Sequence, residues 1–159
     1  MAKFYVGKGL EKYIRQLGDL EFQSTEMTGK AVYKGAGIVA DAIKKSIDDI
    51  PERVGKSPKG IYKDQREGLK DGLGIAPMRN DNGYLNVKIG FDGYNSHVTK
   101  SFPKGQPNAM VARAVNSGTS FAQKDPFVDK TVRKVKQEAE TAMQTVIDLN
   151  IKAIMEDEK

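Results

Sequence analysis

The chain contains no cysteine, no tryptophan and only one histidine, His97. The lack of cysteine excludes disulfide bonds, thiolate metal sites and cysteine nucleophiles. A single imidazole also excludes a His-rich metal site and a relay between two histidines. His97 lies in a polar segment beside Ser96 and Thr99, so we interpret it as a solvent-exposed loop residue rather than a base for nucleophilic catalysis.

Long apolar runs are missing as well. No stretch of 18 apolar residues occurs, and residues 1–4 do not begin a signal-peptide core. The 159 residues, of which 38% are hydrophobic and 30% charged, predict one soluble globular domain that is made in the cytoplasm. Lys and Arg number 26 against 21 Asp and Glu, which gives a mildly basic net charge of +5.

Apolar side chains recur every three to four residues in several segments, which predicts helices. The predicted helices cover residues 9–20, 28–50, 63–73, 108–115 and 126–155. The first is expected to stop near Gly18, and the second to begin at an N-cap, Thr28, and to close before Pro51. The apolar side of the second helix is rich in Ala and Gly, which indicates that another backbone packs closely against it.

Capping residues define the last two predicted helices. Asn108 is the expected N-cap of the fourth helix, and Gly118 is expected to supply a positive-φ turn after it. Asp125 is the expected N-cap of the C-terminal helix, with Pro126 in its first position and Phe127 anchoring it to the sheet. This helix of roughly 30 residues spans about 45 Å, more than a small domain needs. Its end is therefore expected to pack on a neighbouring subunit or to extend into solvent.

A β-hairpin is predicted between the third and fourth helices. Residues 74–78 have a strand pattern, residues 80–83 (Asn-Asp-Asn-Gly) are typical of a tight turn, and residues 85–91 alternate between apolar and other side chains. Two polar segments, 51–63 and 92–107, are predicted to be flexible loops. The expected fold class is α+β, a single domain in which two to four helices and a long C-terminal helix pack on a small antiparallel sheet.

Two phosphate-binding patterns occur without the context that they require. Residues 35–40 (Gly-Ala-Gly-Ile-Val-Ala) match the dinucleotide fingerprint, but they lie inside a predicted helix and residues 55–60 contain no acid. Residues 55–57 (Gly-Lys-Ser) resemble the end of a P-loop, but Ile50 stands where the first glycine is needed. The adjacent carboxylates Asp48 and Asp49 diverge on a helix, so a two-carboxylate or metal site stays open but is not indicated.

A partly aromatic, basic surface is a further candidate site. Its expected members in the two predicted loops are Lys56, Lys59, Tyr94, Lys100, Phe102 and Lys104. Lysines interleaved with aromatic rings are typical of single-stranded nucleic-acid binding, which is the alternative function for this chain. Solvated loops that contact a protein neighbour are the simpler interpretation of the same residues.

A more specific constellation lies near the C-terminal helix. Residues 114–120 (Ala-Val-Asn-Ser-Gly-Thr-Ser) are followed, after a short spacer, by residues 125–130 (Asp-Pro-Phe-Val-Asp-Lys) and the long helix. This order resembles a family of tail components of long-tailed bacteriophages, described as tail-completion or head–tail joining proteins. Residues 30–45, 67–75 and 87–91 resemble further segments of that family in the same order. Asn116 and Ser117 stand where the family usually has Glu.

The resemblance implies a structural virion subunit at the junction between head and tail. Such a subunit forms a six-fold ring with copies of itself, closes the tail tube and binds the tail tube protein and the head–tail connector or stopper protein. Genomic DNA only passes through its lumen, and no membrane is involved. We expect no enzymatic activity, metal or cofactor. The motif residues, expected to be structural, are Gly118, Thr119, Asp125, Pro126 and Phe127.

Overall fold

The computed structural model describes residues 8–156 of the chain. The predicted α+β class is confirmed, since this part of the chain contains four helices and two small antiparallel sheets and ends in a long helix. In chain order the elements are α1 (Lys8–Asp48), α2 (Lys63–Gly72), β1 (Leu73–Ile75), β2 (Arg79–Asp81), β3 (Tyr84–Asn86), β4 (Ile89–Phe91), α3 (Asn108–Ser117) and α4 (Phe127–Glu156).

α1 is one continuous helix of 41 residues, about 60 Å long. The prediction of two helices is therefore wrong, because Gly18 does not end a helix and Thr28 lies in mid-helix rather than at an N-cap. The segment between the two predicted helices, residues 21–27, is polar. The buried residues Gln16 and Met27 nevertheless lie 11 residues apart, which is three helical turns, so both belong to one face of a continuous helix. Packing against a second helix offsets the cost of the interior glycine.

α4 packs antiparallel against α1. The Gln16 side-chain amide Nε2 donates a hydrogen bond to the carbonyl oxygen of Met155 at 2.9 Å, near the far end of α4. A Cβ at Gly35 would lie 2.6 Å from Sδ of Met143, so glycine permits the close backbone approach that was predicted. The end of α4 thus lies on the chain's own α1, an arrangement that its length alone did not indicate.

The chain has two parts, which we name the arm and the head. The arm is formed by α1 residues 12–37 and α4 residues 139–156, and the head is the rest of the described chain. The head contains the hydrophobic core, with Ile47, Ile61 and Leu69 fully buried where α1 meets α2, α3 and the start of α4. Each such side chain contributes about 1.5–3 kcal/mol. Since the arm buries mainly small side chains, most of the stability lies in the head.

The predicted hairpin is present but interrupted. β1 pairs with β4, and β2 pairs with β3, both antiparallel, so two short ladders follow one another along one hairpin. Pro77 has no N–H to donate between them, and the strand predicted at 74–78 accordingly ends at Ile75. Asn82 and Gly83 have φ angles of 55° and 91°, as a two-residue hairpin turn requires. The predicted turn is therefore confirmed, and the strand predicted at 85–91 is divided into β3 and β4.

Candidate interaction surfaces

The link between α3 and α4 contains the residues that carry the resemblance. α3 ends at Ser117, and the backbone N–H of Gly118 donates to the carbonyl oxygen of Ala114 at 2.9 Å. Gly118 has φ 78° and ψ 155°, a conformation almost restricted to glycine. A Cβ at this position would lie 2.9 Å from the Cβ of Lys124. Backbone angles and space therefore both require glycine here.

Thr119 stabilises the turn that follows Gly118. Its hydroxyl Oγ1 accepts hydrogen bonds from the backbone N–H groups of Phe121 and Ala122, at 3.2 and 3.0 Å. The turn leaves the Phe121 side chain 82% exposed. Thr119 therefore acts on the backbone, while the aromatic ring beside it faces solvent.

The first turn of α4 differs from the prediction. The carbonyl oxygen of Pro126 accepts the first helical hydrogen bond, from the N–H of Lys130 at 2.9 Å, so Pro126 rather than Asp125 holds the N-cap position. The Asp125 carboxylate instead lies 3.1 Å from Nζ of Lys130. Oδ1 of Asn116, in α3, accepts from the N–H of Val128 at 3.1 Å and thus caps α4. The sequence patterns missed this role because the capping oxygen comes from another helix.

The start of α4 is held from two sides. Nδ2 of Asn116 donates to the carboxylate of Asp129 at 3.0 Å, which adds a second contact between α3 and α4. On the apolar side Phe127 is buried, and its ring centroid lies 6.2 Å from that of Phe91 in β4. These contacts set the direction in which α4 leaves the head towards the arm.

Two loops meet beside α2: loop 1, residues 51–62, and loop 2, residues 92–107. The rings of Tyr62 and His97 are stacked, with centroids 4.4 Å apart and planes inclined by 13°. Nδ1 of His97 also lies 2.9 Å from a carboxylate oxygen of Asp64, and the His97 side chain is only 22% exposed. The interpretation of His97 as a solvent-exposed residue is therefore wrong. His97 joins loop 2 to loop 1 and to α2.

Arg53 connects loop 1 to the turn after Gly118. Its guanidinium lies 5.4 Å from the centroid of the Tyr62 ring and donates to the carbonyl oxygens of Gly60 and Pro58, both at 3.2 Å. A third, longer hydrogen bond of 3.5 Å reaches the carbonyl oxygen of Phe121. Sequence patterns showed Arg53 only as one positive charge among several, because its partners are spread over the chain.

Buried amides hold the base of loop 2. Nδ2 of Asn108 donates to the carbonyl oxygen of Asp92 at 2.8 Å, and its Oδ1 accepts from Nδ2 of Asn95 at 3.3 Å. The prediction that Asn108 is the N-cap of α3 is therefore wrong, since Pro107 holds that position and the Asn108 side chain is directed to loop 2. Buried amides need such partners, because an unpaired polar group is costly away from water.

The predicted loop surface is only partly exposed. Lys56, Lys59, Lys100 and Lys104 all lie at the surface, as does Tyr94, whereas Phe102 is half-buried. Acidic side chains lie close to this surface: Asp64, Glu67, Asp71 and Asp92 line a cleft between α2 and loop 2. Of the six predicted surface residues, Tyr94 lines this acidic cleft.

The arm exposes large apolar side chains. Phe22 is 90% exposed, and Ile14, Leu17 and Leu149 are each about half exposed or more. Charged residues lie between them, among them Glu26 and Lys30, which form an ion pair at 2.6 Å. The hydrogen bond from Lys30 and its positive charge hold the pKa of Glu26 below its usual value. The surface of the arm thus combines exposed apolar side chains with charged ones.

The accessible surface of the chain is large for its length. It measures 11513 Å², whereas a compact monomer of 159 residues exposes about 7,900 Å². The ten residues outside 8–156 account for at most about 1,600 Å² of this difference even if fully solvated. The rest, at least about 2,000 Å², is surface that a compact chain of this length would bury, and exposed side chains of both the arm and the head, such as Phe22 and Phe121, contribute to it.

Comparisons with known proteins found no family model, no curated protein and no solved structure that matches this chain. Within residues 8–156, no helix has the length and apolar character to cross a membrane. The same part of the chain contains no group of three or more His, Cys, Asp or Glu side chains placed to hold a metal ion. A proposal for function therefore rests on the geometry above and on the residues that carry the resemblance.

Proposed function

We propose that the protein is a structural subunit of the virion of a tailed bacteriophage. In this proposal copies of the chain associate into a ring at the head-proximal end of the tail. The ring completes the tail tube and joins it to the head connector. It acts through shape and contact surfaces alone, without catalysis or a cofactor.

The observation that carries the proposal is the excess of exposed surface of the chain. The surplus of at least about 2,000 Å² on one chain exceeds the roughly 600–1,000 Å² that each partner contributes to a stable protein interface, and it is of the size that a ring subunit with two neighbours needs. Exposed apolar side chains such as Phe22 and Leu149 are costly in a free monomer and favourable in a contact. A subunit that functions within an assembly accounts for both features.

The geometry of the α3–α4 link gives further support. Gly118, Asn116 and Phe127 fix the angle at which α4 leaves the head, and hence where the arm lies. Ring closure requires that two different patches of each subunit meet at a constant angle. A rigid link between head and arm is what such a ring needs, so structural roles for the motif residues fit the proposal.

The alternative, a small nucleic-acid-binding protein, finds less support in the charge distribution. Tyr94, an aromatic member of the candidate loop surface, lies in a cleft lined by the acidic side chains Asp64, Glu67, Asp71 and Asp92, which repel a phosphate backbone. Binding to a phosphate backbone is dominated by positive charge and falls steeply with salt. A mixed surface is better suited to a protein partner that carries charges of both signs.

Cross-linking mass spectrometry and electron microscopy of purified phage particles test the proposal. We expect a ring at the head–tail junction, with cross-links from lysines of loops 1 and 2, such as Lys59 and Lys100, to tube or connector proteins. Lys152, on the arm, serves as the internal comparison and should cross-link to other copies of the chain. Absence of the protein from particles, with recovery on nucleic acid, would overturn the proposal in favour of the alternative.

A further inference from the structure

A glycine followed four residues later by an aromatic residue occurs three times in α1. Gly9 with Tyr13 is nine residues before the next copy, about 900° of helical rotation, and so belongs to the opposite side of the helix. Of the two copies that share a side, the first is Gly18 with Phe22 and the second is Gly29 with Tyr33. The copies are 11 residues apart, which is about three turns, or about 16.5 Å along the axis. Both patterns therefore lie on nearly the same side of the helix.

The second copy receives a side chain from the hairpin. The Met78 side chain packs over Gly29, where a Cβ would lie 3.3 Å from Cε of Met78. The hydroxyl of Tyr33 accepts a hydrogen bond from the backbone N–H of Met78 at 2.8 Å. Glycine thus leaves room for an apolar side chain, and the aromatic residue binds the incoming backbone.

The first copy has the same spacing with a purely apolar ring, since Phe22 lacks the hydroxyl of Tyr33, and nothing in the described chain covers it. A Cβ at Gly18 would meet no atom within 4 Å, and Phe22 is 90% exposed. Ile14, four residues before Gly18, extends the apolar strip and is 56% exposed. Relative to alanine, a glycine in the interior of a helix lowers the equilibrium constant for helix formation about fivefold. Packing of α4 along α1 keeps the helix continuous, but no contact within the described chain makes use of the missing side chain at Gly18.

We propose that the strip Ile14–Gly18–Phe22, the arm site, is the docking surface for a second copy of this chain. The inference rests on the self-association in the proposed function and names the surface that performs it. A second copy of the chain fits the area available. The exposed surface exceeds that of a compact chain of this length by at least about 2,000 Å², which is enough for contact with a protein of comparable size. Each copy also carries exposed aromatic side chains on its head, Tyr84 and Phe121, which can fill the site of its neighbour.

Two glycine substitutions on α1 separate docking from folding. Gly18→Gln fills the arm site with a good helix former. Gly37→Gln is the matched control, since Gly37 also has no atom within 4 Å of its Cβ position but lies about 100° further round the helix. Both variants should raise the folding equilibrium constant of the free chain about fivefold. Only Gly18→Gln should weaken self-association, by tenfold or more in sedimentation velocity, while Gly37→Gln stays within twofold.

A cysteine probe in phage particles identifies the occupant directly, because the chain has no other cysteine. Phe22→Cys is labelled with a maleimide-linked photo-cross-linker in assembled particles. We expect cross-links from position 22 to the head of a second copy. Cross-links only to another protein, or a Gly18→Gln variant that associates like the wild type, would overturn the arm site but leave the proposed function standing. Absence of the chain from particles would overturn the proposed function itself.

Discussion

Gly118 links α3 to α4 in a backbone conformation that other residues rarely adopt. With φ 78° and ψ 155°, any side chain is strained, and its Cβ would meet the Cβ of Lys124 at 2.9 Å. We expect Gly118→Ala to lower the free energy of unfolding by about 1–3 kcal/mol. Urea unfolding followed by circular dichroism measures this loss.

Gly74→Ala is the matched control for that substitution. Gly74 lies in β1 without a positive φ, and a Cβ there would meet no atom within 4 Å. We expect its urea midpoint to stay close to that of the wild type. Equal midpoints for the Gly118→Ala and Gly74→Ala variants would show that the link tolerates a side chain, contrary to the structure.

Asn116 is the second residue for which the structure makes a quantitative prediction. Asn116→Ala removes the hydrogen bond to the N–H of Val128 and the contact with Asp129, leaving the first turn of α4 without its cap. We expect a loss of about 0.5–2 kcal/mol in the free energy of unfolding. Asn86→Ala is the control: it removes hydrogen bonds to Asp81 and to the carbonyl oxygen of Tyr84 at the hairpin surface but no helix cap, so it should cost less. A loss at Asn86 as large as that at Asn116 would contradict the capping role.

Residue roles were predictable where they depend on the residue itself and its immediate neighbours. A glycine before a Thr-Ser pair indicated a turn at Gly118, and Asn-Gly at 82–83 indicated the hairpin turn. Asn116, His97 and Asn108 were misjudged or missed because their partners lie 12 to 33 residues away. Such contacts form only once the elements have packed, so spacing along the chain carries no sign of them.

At the scale of elements, the stacked pair of Tyr62 and His97 holds loop 2 against loop 1. His97→Ala removes the stacking and the hydrogen bond to Asp64, which together are worth about 1 kcal/mol. We expect backbone amides of loop 2 to exchange hydrogen about fivefold faster, while amides in the core of α4 stay unchanged. Hydrogen exchange with mass spectrometry measures both segments in one experiment.

Two further variants isolate the cause of that change. His97→Phe keeps an aromatic ring on Tyr62 but loses the bond to Asp64, so its exchange should be intermediate. Ser96→Ala alters an exposed neighbour and should behave as the wild type. If His97→Ala left loop 2 protected, the stack would not be what holds the two loops together.

The positions of the helices were easier to predict than the continuity of α1. α2, α3 and α4 were expected close to their observed bounds, because each has a clear apolar stripe and a glycine or proline near an end. α1 was divided wrongly because its middle is polar and contains Gly18, both of which are local signs of a break. The helix persists there because α4 packs along it, and the sequence of α1 alone does not contain that information.

For the whole molecule, the proposed arm site predicts how self-association depends on salt. Contacts through apolar side chains such as Ile14 and Phe22 are not weakened by screening, whereas contacts through the exposed lysines are. We expect the self-association constant to change by less than about threefold when salt rises from about 0.1 to about 1 M, which shortens the Debye length from about 10 to about 3 Å. Sedimentation velocity across protein concentrations measures the constant at each salt concentration.

The double variant Lys100→Ala with Lys104→Ala is the control for that experiment. If the arm mediates association, removing these two exposed loop charges should leave the constant unchanged. Nucleic-acid binding through the loops would instead weaken by orders of magnitude over the same salt range and depend on both lysines. A self-association that falls more than tenfold with salt would place the contact on the charged loops. The exposed apolar side chains of the arm would then have to be covered by a different protein.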